Sequence, residues 1–267
     1  MKKERIDILL VEKGYFDSRE KAKRTIMAGL VLVDDEVVDK AGTKVDISKE
    51  IRIKGNPIPF VSRGGLKLDK ALKEFDIDLN GKTALDIGAS TGGFSDCMLQ
   101  NGVSKIFAID VGYGQLDWKI RSDKRVVAMD RTNIRNVEFE DIGELVDFAS
   151  IDVSFISLKL VLPVVKKLTK EEAEIVALIK PQFEIGKDRV GKKGIVKNIE
   201  DHKDVILDIN SFCKENDLFI HDLTYSPVKG AEGNIEYLAH IKKYRSKNLN
   251  TEELLKKIVE ESHEYLK

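Results

Sequence analysis

The run Thr83-Ala-Leu-Asp86-Ile-Gly88-Ala-Ser90-Thr-Gly92-Gly93-Phe94-Ser95 constrains the fold of this chain more than any other segment. An apolar, strand-like stretch carrying an acidic residue runs into a glycine-rich turn, and the turn opens a helix-like stretch. That order places unpaired helix N–H groups and close-approaching glycine backbone at the end of a strand, where α/β proteins build nucleotide and nucleoside pockets. The spacing is not the dinucleotide fingerprint G-x-G-x-x-G, because three other residues separate Gly88 from Gly92-Gly93, and no P-loop lysine follows. With both phosphate readings weakened, S-adenosylmethionine becomes the candidate ligand. It has no phosphate, and its ribose, adenine and amino acid groups call for carboxylates. Asp86, Gly88, Ser90, Gly92, Gly93 and Phe94 are the candidate cradle.

Strand-like runs alternate with helical segments beyond residue 60: 84–87, 105–109, 126–129, 148–151 and 175–179. This alternation predicts an α/β domain with a doubly wound, Rossmann-like parallel sheet. Residues 218–225 and 234–242 read as two final strands, and 250–266 as an amphipathic helix. In such a sheet ligand groups gather at the carboxyl ends of the strands. Asp110, Asp130 and Asp152 each follow one of these runs. A single aspartate there is an ordinary turn residue, but three beside a glycine-rich turn point to one pocket, with Asp110 suited to ribose hydroxyls and Asp130 to an adenine amino group.

Residues 1–54 have a different texture. A helical apolar face (Ile6, Leu9, Leu10, Val11) precedes a second helix, for which Ser18 is the cap, Ala22 and Ile26 the inner face and Gly29 the stop. Short strands follow, including a hairpin over residues 30–38 with a polar turn. Arg5-Ile-Asp-Ile-Leu-Leu-Val-Glu-Lys-Gly, Ser18-Arg19, Ala22, Ile26, Gly29 and Val31-Leu-Val resemble the S4 domain, a small α+β RNA-binding module. Arg19, Lys21, Lys23 and Arg24 would alone be a solvated helix face; the resemblance makes them, with Arg5, candidate RNA contacts. Formal net charge is −1 over the 267 residues, so any basic RNA surface must be local. Two distant cysteines and an N-terminus without a secretory pattern predict a cytoplasmic protein. Gly55-Asn-Pro-Ile-Pro59 reads as a linker, giving expected boundaries of 1–60, 61–245 and a helical tail of 246–267.

Two lysines complete the larger domain's motifs. Lys67 lies in Ser62-Arg63-Gly-Gly-Leu-Lys67, near the start of a helix, and Lys180 ends the strand-like run Leu178-Ile-Lys180-Pro-Gln-Phe-Glu184. A lysine beside carboxylates at a sheet edge can serve as a base or a positioning cation. These two segments, the glycine-rich turn, Asp152-Val-Ser-Phe-Ile-Ser and Gly233-Asn-Ile-Glu236-Tyr together resemble the TlyA family, in which an S4 domain precedes an FtsJ-like methyltransferase domain. The resemblance covers residues 1 to about 245. It implies S-adenosylmethionine-dependent 2′-O-methylation of ribosomal RNA, typically at cytidine; because the methyl sulfonium is already a good leaving group, no metal ion is expected. The family's Lys-Asp-Lys-Glu tetrad falls on Lys67, Asp152, Lys180 and Glu236, with Glu236 preferred over the nearby Glu232. Lys180 is the expected base, Lys67 orients the hydroxyl, and the two carboxylates fix the ammonium geometry.

Arg63 and the glycine-spaced basic run Lys187, Arg189, Lys192, Lys193 and Lys197 complete the candidate RNA contacts. Ribosomal RNA or ribosomal subunits are therefore the expected partners, rather than DNA or an inserted membrane. Methylation of a base ranks below the ribose reading, because the Asp152 segment has an aromatic residue but no proline pair. A non-catalytic ribosome-assembly factor and a haemolysin-type membrane activity are the competing classes. The glutamates of residues 252–264 suit an anionic lipid surface poorly.

Overall fold

A computed structural model describes residues 3–16, 18–54, 59–245 and 252–266. Residue 17, most of the expected linker (55–58) and residues 250–251 of the expected terminal helix lie outside the described residues. The chain divides into two units, Met1–Arg63 and Gly64–Lys267.

The first unit runs β1 (Lys3–Arg5), α1 (Ile6–Glu12), α2 (Arg19–Met27), β2 (Val31–Val33), β3 (Glu36–Val38), β4 (Lys44–Asp46) and β5 (Ile51–Ile53). Ser18 caps α2, its Oγ accepting the Lys21 N–H at 3.3 Å, while Ala22 and Ile26 join Ile6, Leu10 and Val31 in the core. Asp34 and Asp35 both take positive φ, 50° and 66°. This is the backbone that a two-residue hairpin between β2 and β3 requires, because its twist matches that of the strands. The antiparallel sheet runs β3-β2-β5, and β1 pairs separately with β4. Strand β1 was not expected: three charged residues show no period.

The second unit continues with α3 (Gly64–Glu74), β6 (Thr83–Ile87), α4 (Gly93–Gln100), β7 (Lys105–Ile109), α5 (Trp118–Arg121), β8 (Val126–Met129), α6 (Phe139–Ile142), β9 (Val146–Ile151), α7 (Leu162–Leu168), β10 (Thr169–Ile179), α8 (Pro181–Glu184), α9 (Ile199–Glu215), β11 (Phe219–Tyr225), β12 (Tyr237–Lys242) and α10 (Glu252–Tyr265). Its seven-stranded sheet has the order β11-β12-β10-β9-β6-β7-β8. The five expected parallel strands are all present, and β12 enters antiparallel between β10 and β11. Strand β10 begins six residues earlier than periodicity predicted, with a register irregularity between Thr169 and Glu174.

Alternation along the central strands decides which groups meet. Leu85 and Ile87 join Ala149, Ile151 and residues of α7, α9 and α10 in one core cluster. Ala84 and Asp86 point to the opposite face, where Asp86 meets Ser95 of α4. Helix α10 buries Leu255 and Val259 in that cluster.

Candidate active site

At the carboxyl ends of β6, β7 and β9 the glycine turn, Asp110 and Asp152 surround a cavity of about 750 Å³, within the size range of small-molecule sites. Gly88 sits at φ +82°, and a Cβ there would collide with the main-chain carbonyl of Asp152. The turn and the end of β9 approach closely only because Gly88 has no side chain. Asp110 organises the cavity's second side: its Oδ2 accepts the Ser90 N–H and its Oδ1 the Gly112 N–H, each at 2.7 Å. Each carboxylate oxygen keeps acceptor capacity for a further donor.

Five expected cofactor contacts, Asp86, Gly92, Gly93, Phe94 and Asp130, lie off the cavity wall. Asp86 is fully buried beneath the turn, where Oδ2 accepts from Ser95 Oγ at 2.5 Å and Oδ1 from Ser150 Oγ at 3.1 Å. Burial outweighs these bonds and pushes its carboxyl up to about 6. Asp86 thus braces the turn from below and is not on the cavity wall. Gly92 (φ +89°) packs against Leu116 and Ile120, and buried Gly93 and Phe94 follow it. The cavity is therefore bordered by Gly88 and Ser90 rather than by the start of α4. Asp130 is ion-paired to Arg121, which holds its carboxyl below the usual range, and it accepts the Gly114 N–H. Thr132, Asn133 and Ile134 form the wall beyond β8.

Four side chains from separate elements form a line. Glu236 Oε2 lies 2.6 Å from Lys67 Nζ, Lys67 lies 3.9 Å from Asp152 Oδ2, and Asp152 Oδ1 lies 2.6 Å from Lys180 Nζ. Helix α3 supplies Lys67, the end of β9 Asp152, the end of β10 Lys180, and the residue before β12 Glu236. Lys67, Lys180 and Glu236 are all buried, which long charged side chains tolerate only with partners of opposite sign. The line opens to the cavity through Asp152. Glu232, the neighbouring alternative, stands exposed.

Sequence reading missed three neighbours of this line. Ser154 Oγ accepts from Lys180 Nζ at 3.0 Å. Gln182 Nε2 approaches Glu236 Oε1 at 3.5 Å. Gly230 lies under Glu236, so close that a Cβ would overlap the carboxylate. Only Ser154 and Gln182 carried a signal, their places within two residues of Asp152 and Lys180. Phe155, 90% exposed and at φ +63°, sits with its ring centroid 4.9 Å from that of Phe183.

The expected RNA contacts divide. Arg5 and Arg19 both donate to buried Asp7, at 3.0 Å (Arg5 Nε) and 2.8 Å (Arg19). Burial of Asp7 opposes ionisation, but the two arginines prevail and hold its carboxyl at about 2. Both arginines keep nearly half their side-chain surface, so they brace the first unit and still present charge. Lys21 and Arg63 are exposed, and Lys23 and Arg24 half-buried. Of the basic run, Lys187, Lys192, Lys193 and Lys197 are exposed. Arg189, also exposed, is ion-paired to Asp201 and Asp204, which ties the loop to α9.

A sequence profile of the FtsJ-like methyltransferase family matches residues 60–243, and one of the S4 domain matches residues 4–51. The 16S/23S rRNA (cytidine-2′-O)-methyltransferase TlyA of Mycobacterium tuberculosis (strain CDC 1551 / Oshkosh) is 39% identical over 94% of each chain. This chain belongs to the TlyA family. YqxC of Bacillus subtilis (strain 168), provisionally named an rRNA methyltransferase, is 49% identical over 100% of this chain and 96% of its own. A solved structure from Streptococcus thermophilus, provisionally titled a hemolysin, superposes with a TM-score of 0.79 at 44% identity, covering 99% of this chain and 97% of that one. The S4 domain and the FtsJ-like methyltransferase domain are the two parts that the resemblance implied.

Proposed function

We propose that this chain methylates a ribose 2′-hydroxyl of ribosomal RNA, at cytidine, with S-adenosylmethionine as methyl donor. The observation that carries the reading is the Glu236–Lys67–Asp152–Lys180 line reaching a nucleoside-sized cavity at Asp152. The residues present fit the donor. Asp110 would take the ribose hydroxyls, Thr132 to Ile134 the adenine side, and Gly88, Ser90 and Asp152 the amino acid end. When bound, the donor supplies an electrophilic methyl group on a sulfonium, a good leaving group.

The protein's part is to prepare the oxygen. A ribose hydroxyl is a weak nucleophile until its proton is removed or polarised. Lys180 Nζ would accept that proton, while the bound donor would supply its methyl group to the oxygen and leave as the thioether. Asp152 and Ser154 aim its amine, and Asp152 stabilises the ammonium that results. Lys67, held by Glu236, donates a hydrogen bond to the oxygen and fixes its approach. Positioning of this kind supplies much of a methyl transferase's acceleration. Phe155 stands beside the line as an exposed aromatic face; stacking of one base on such a face contributes about 1–3 kcal/mol. The S4 unit would dock RNA through its basic α2, and its binding would weaken with salt.

The haemolysin-type alternative needs a free apolar face on α10, whereas Leu255 and Val259 are buried in the protein core. The test is transfer of labelled methyl to separate small subunits, large subunits and assembled ribosomes, followed by nucleoside analysis. A 2′-O-methylated cytidine is expected. A methylated base would reject the tetrad chemistry, and absence of label in every particle despite donor binding would favour a binding role.

A further inference from the structure

Lys180, Phe183 and Glu184 follow the i, i+3, i+4 spacing that brings side chains onto one helical face. They occupy α8 and its N-cap, with Pro181 at the first turn. The facing segment is the loop that leaves β9. Lys180 meets Asp152 and Ser154, Phe183 meets Phe155, and Glu184 meets the loop's far end. There Glu184 Oε2 accepts from Ser157 Oγ at 2.6 Å and Oε1 accepts the Leu158 N–H at 2.8 Å. Ser157 in turn caps the short turn Leu158–Leu160 through the Lys159 N–H. The loop's near end is held by the Asp152 N–H on the Ile87 carbonyl, at 2.9 Å. Between these anchors Phe155 keeps a left-handed backbone. For a bulky residue this conformation is strained and persists only where its surroundings enforce it.

We infer that Glu184 is a positioning residue: its carboxylate clamps the end of the Asp152–Leu158 loop and so holds Phe155 over Phe183, where the target nucleobase stacks. Glu184 touches neither donor nor reacting oxygen; it acts through Phe155. Its two acceptor oxygens satisfy two donors, one of them a backbone N–H that a neutral alanine would leave without a partner. The inference deepens the methyltransferase reading and rests on it for the nucleobase alone.

The experiment compares Glu184→Ala, Glu184→Gln, Phe155→Ala and the Glu184→Ala/Phe155→Ala double variant. It uses full-length protein and ribosomal subunits, and reads kcat and KM for RNA separately. Glutamine can still accept from Leu158 and donate to Ser157 Oγ, so Glu184→Gln should keep KM within about twofold, while Glu184→Ala raises it about tenfold. In the Phe155→Ala background the same alanine change should alter KM less than about twofold, the non-additivity expected of groups acting through one another. Amide exchange across residues 153–160 should accelerate in Glu184→Ala and stay at wild-type rates in Glu184→Gln. Multiplicative KM effects, failure of glutamine to rescue, or unchanged exchange in Glu184→Ala would each overturn the clamp. If Glu184→Ala does not fold, Ser157→Ala removes one of the two bonds and should show a smaller KM rise with the same dependence on Phe155. If wild-type protein methylates no ribose, the functional reading fails, while the exchange rates still decide whether Glu184 clamps the loop.

Discussion

Asp86→Asn should stabilise the protein, and by an amount that grows with pH. Complete burial raises the Asp86 carboxyl from 3.8 to about 6 despite the two serine hydroxyls that donate to it. Between those values the folded chain holds a proton that the unfolded chain releases, so stability falls as pH rises through the window. Above pH 6 the penalty is complete. A shift of about two units at 1.36 kcal/mol each sets it at about 3 kcal/mol. Asparagine carries no charge to desolvate and can reproduce both contacts: its oxygen accepts from Ser95, and its amide donates to Ser150 Oγ, which is already 3.4 Å from the Leu85 carbonyl as an alternative acceptor. Urea unfolding followed by far-UV circular dichroism at pH 4, 6 and 8 measures the difference. The variant's advantage should be near zero at pH 4 and approach about 3 kcal/mol at pH 8, less any loss in hydrogen-bond quality. A difference that does not change with pH, or a variant less stable at pH 8 than at pH 4 relative to wild type, would refute the reasoning.

Lys180→Ala should leave donor affinity unchanged by calorimetry and lower single-turnover methyl transfer about 10²- to 10⁴-fold, the range for a lost acid–base group; normal turnover would remove Lys180 from its role. Gly230→Ala inserts a Cβ where the Glu236 carboxylate lies, so Glu236 must withdraw from Lys67; kcat should fall about tenfold or more with donor binding intact. Asp7→Asn should lower the urea midpoint of the first unit at pH 7, because it weakens the pull on Arg5 and Arg19. With the folded carboxyl held at about 2 against an ordinary 3.8, that contribution is present above pH 4 and lost as pH falls through 2. Wild type and variant midpoints should therefore converge in acid, and parallel curves would contradict the assignment.

Periodicity made the central parallel strands legible, because strands buried on both faces read as apolar runs wherever they occur. It could not show β12 entering antiparallel between β10 and β11, since strand order depends on long connections rather than on local pattern. The tetrad residues were legible from motif and strand-end position, and the structure brings all four together. What local sequence could not show was where carboxylates point. Asp86 and Asp110 both stand at or near strand ends before turns, yet one faces the α4 side of the sheet and the other the cavity. The ion pairs of Asp130 and Arg189 were likewise not legible, because their partners, Arg121 and the α9 aspartates, are brought to them by packing. Gly230 looked like any loop glycine; only the position of Glu236 above it explains the residue.

Asp152 joins the two halves of this site through different atoms. Its backbone carbonyl rests against Gly88, at the edge of the cavity where the donor would lie, and its side chain stands between Lys67 and Lys180, where the acceptor oxygen would lie. A shift of the glycine turn is therefore transmitted by main-chain contact to the group that aims the base. The close main-chain contact and the positive φ of +82° together explain why position 88 needs a residue without a side chain. The coupling separates two kinds of damage. Replacing the Asp152 carboxylate disturbs the lysines and leaves the backbone contact in place, whereas adding a methyl group at Gly88 pushes on the backbone and must disturb donor and acceptor positions together.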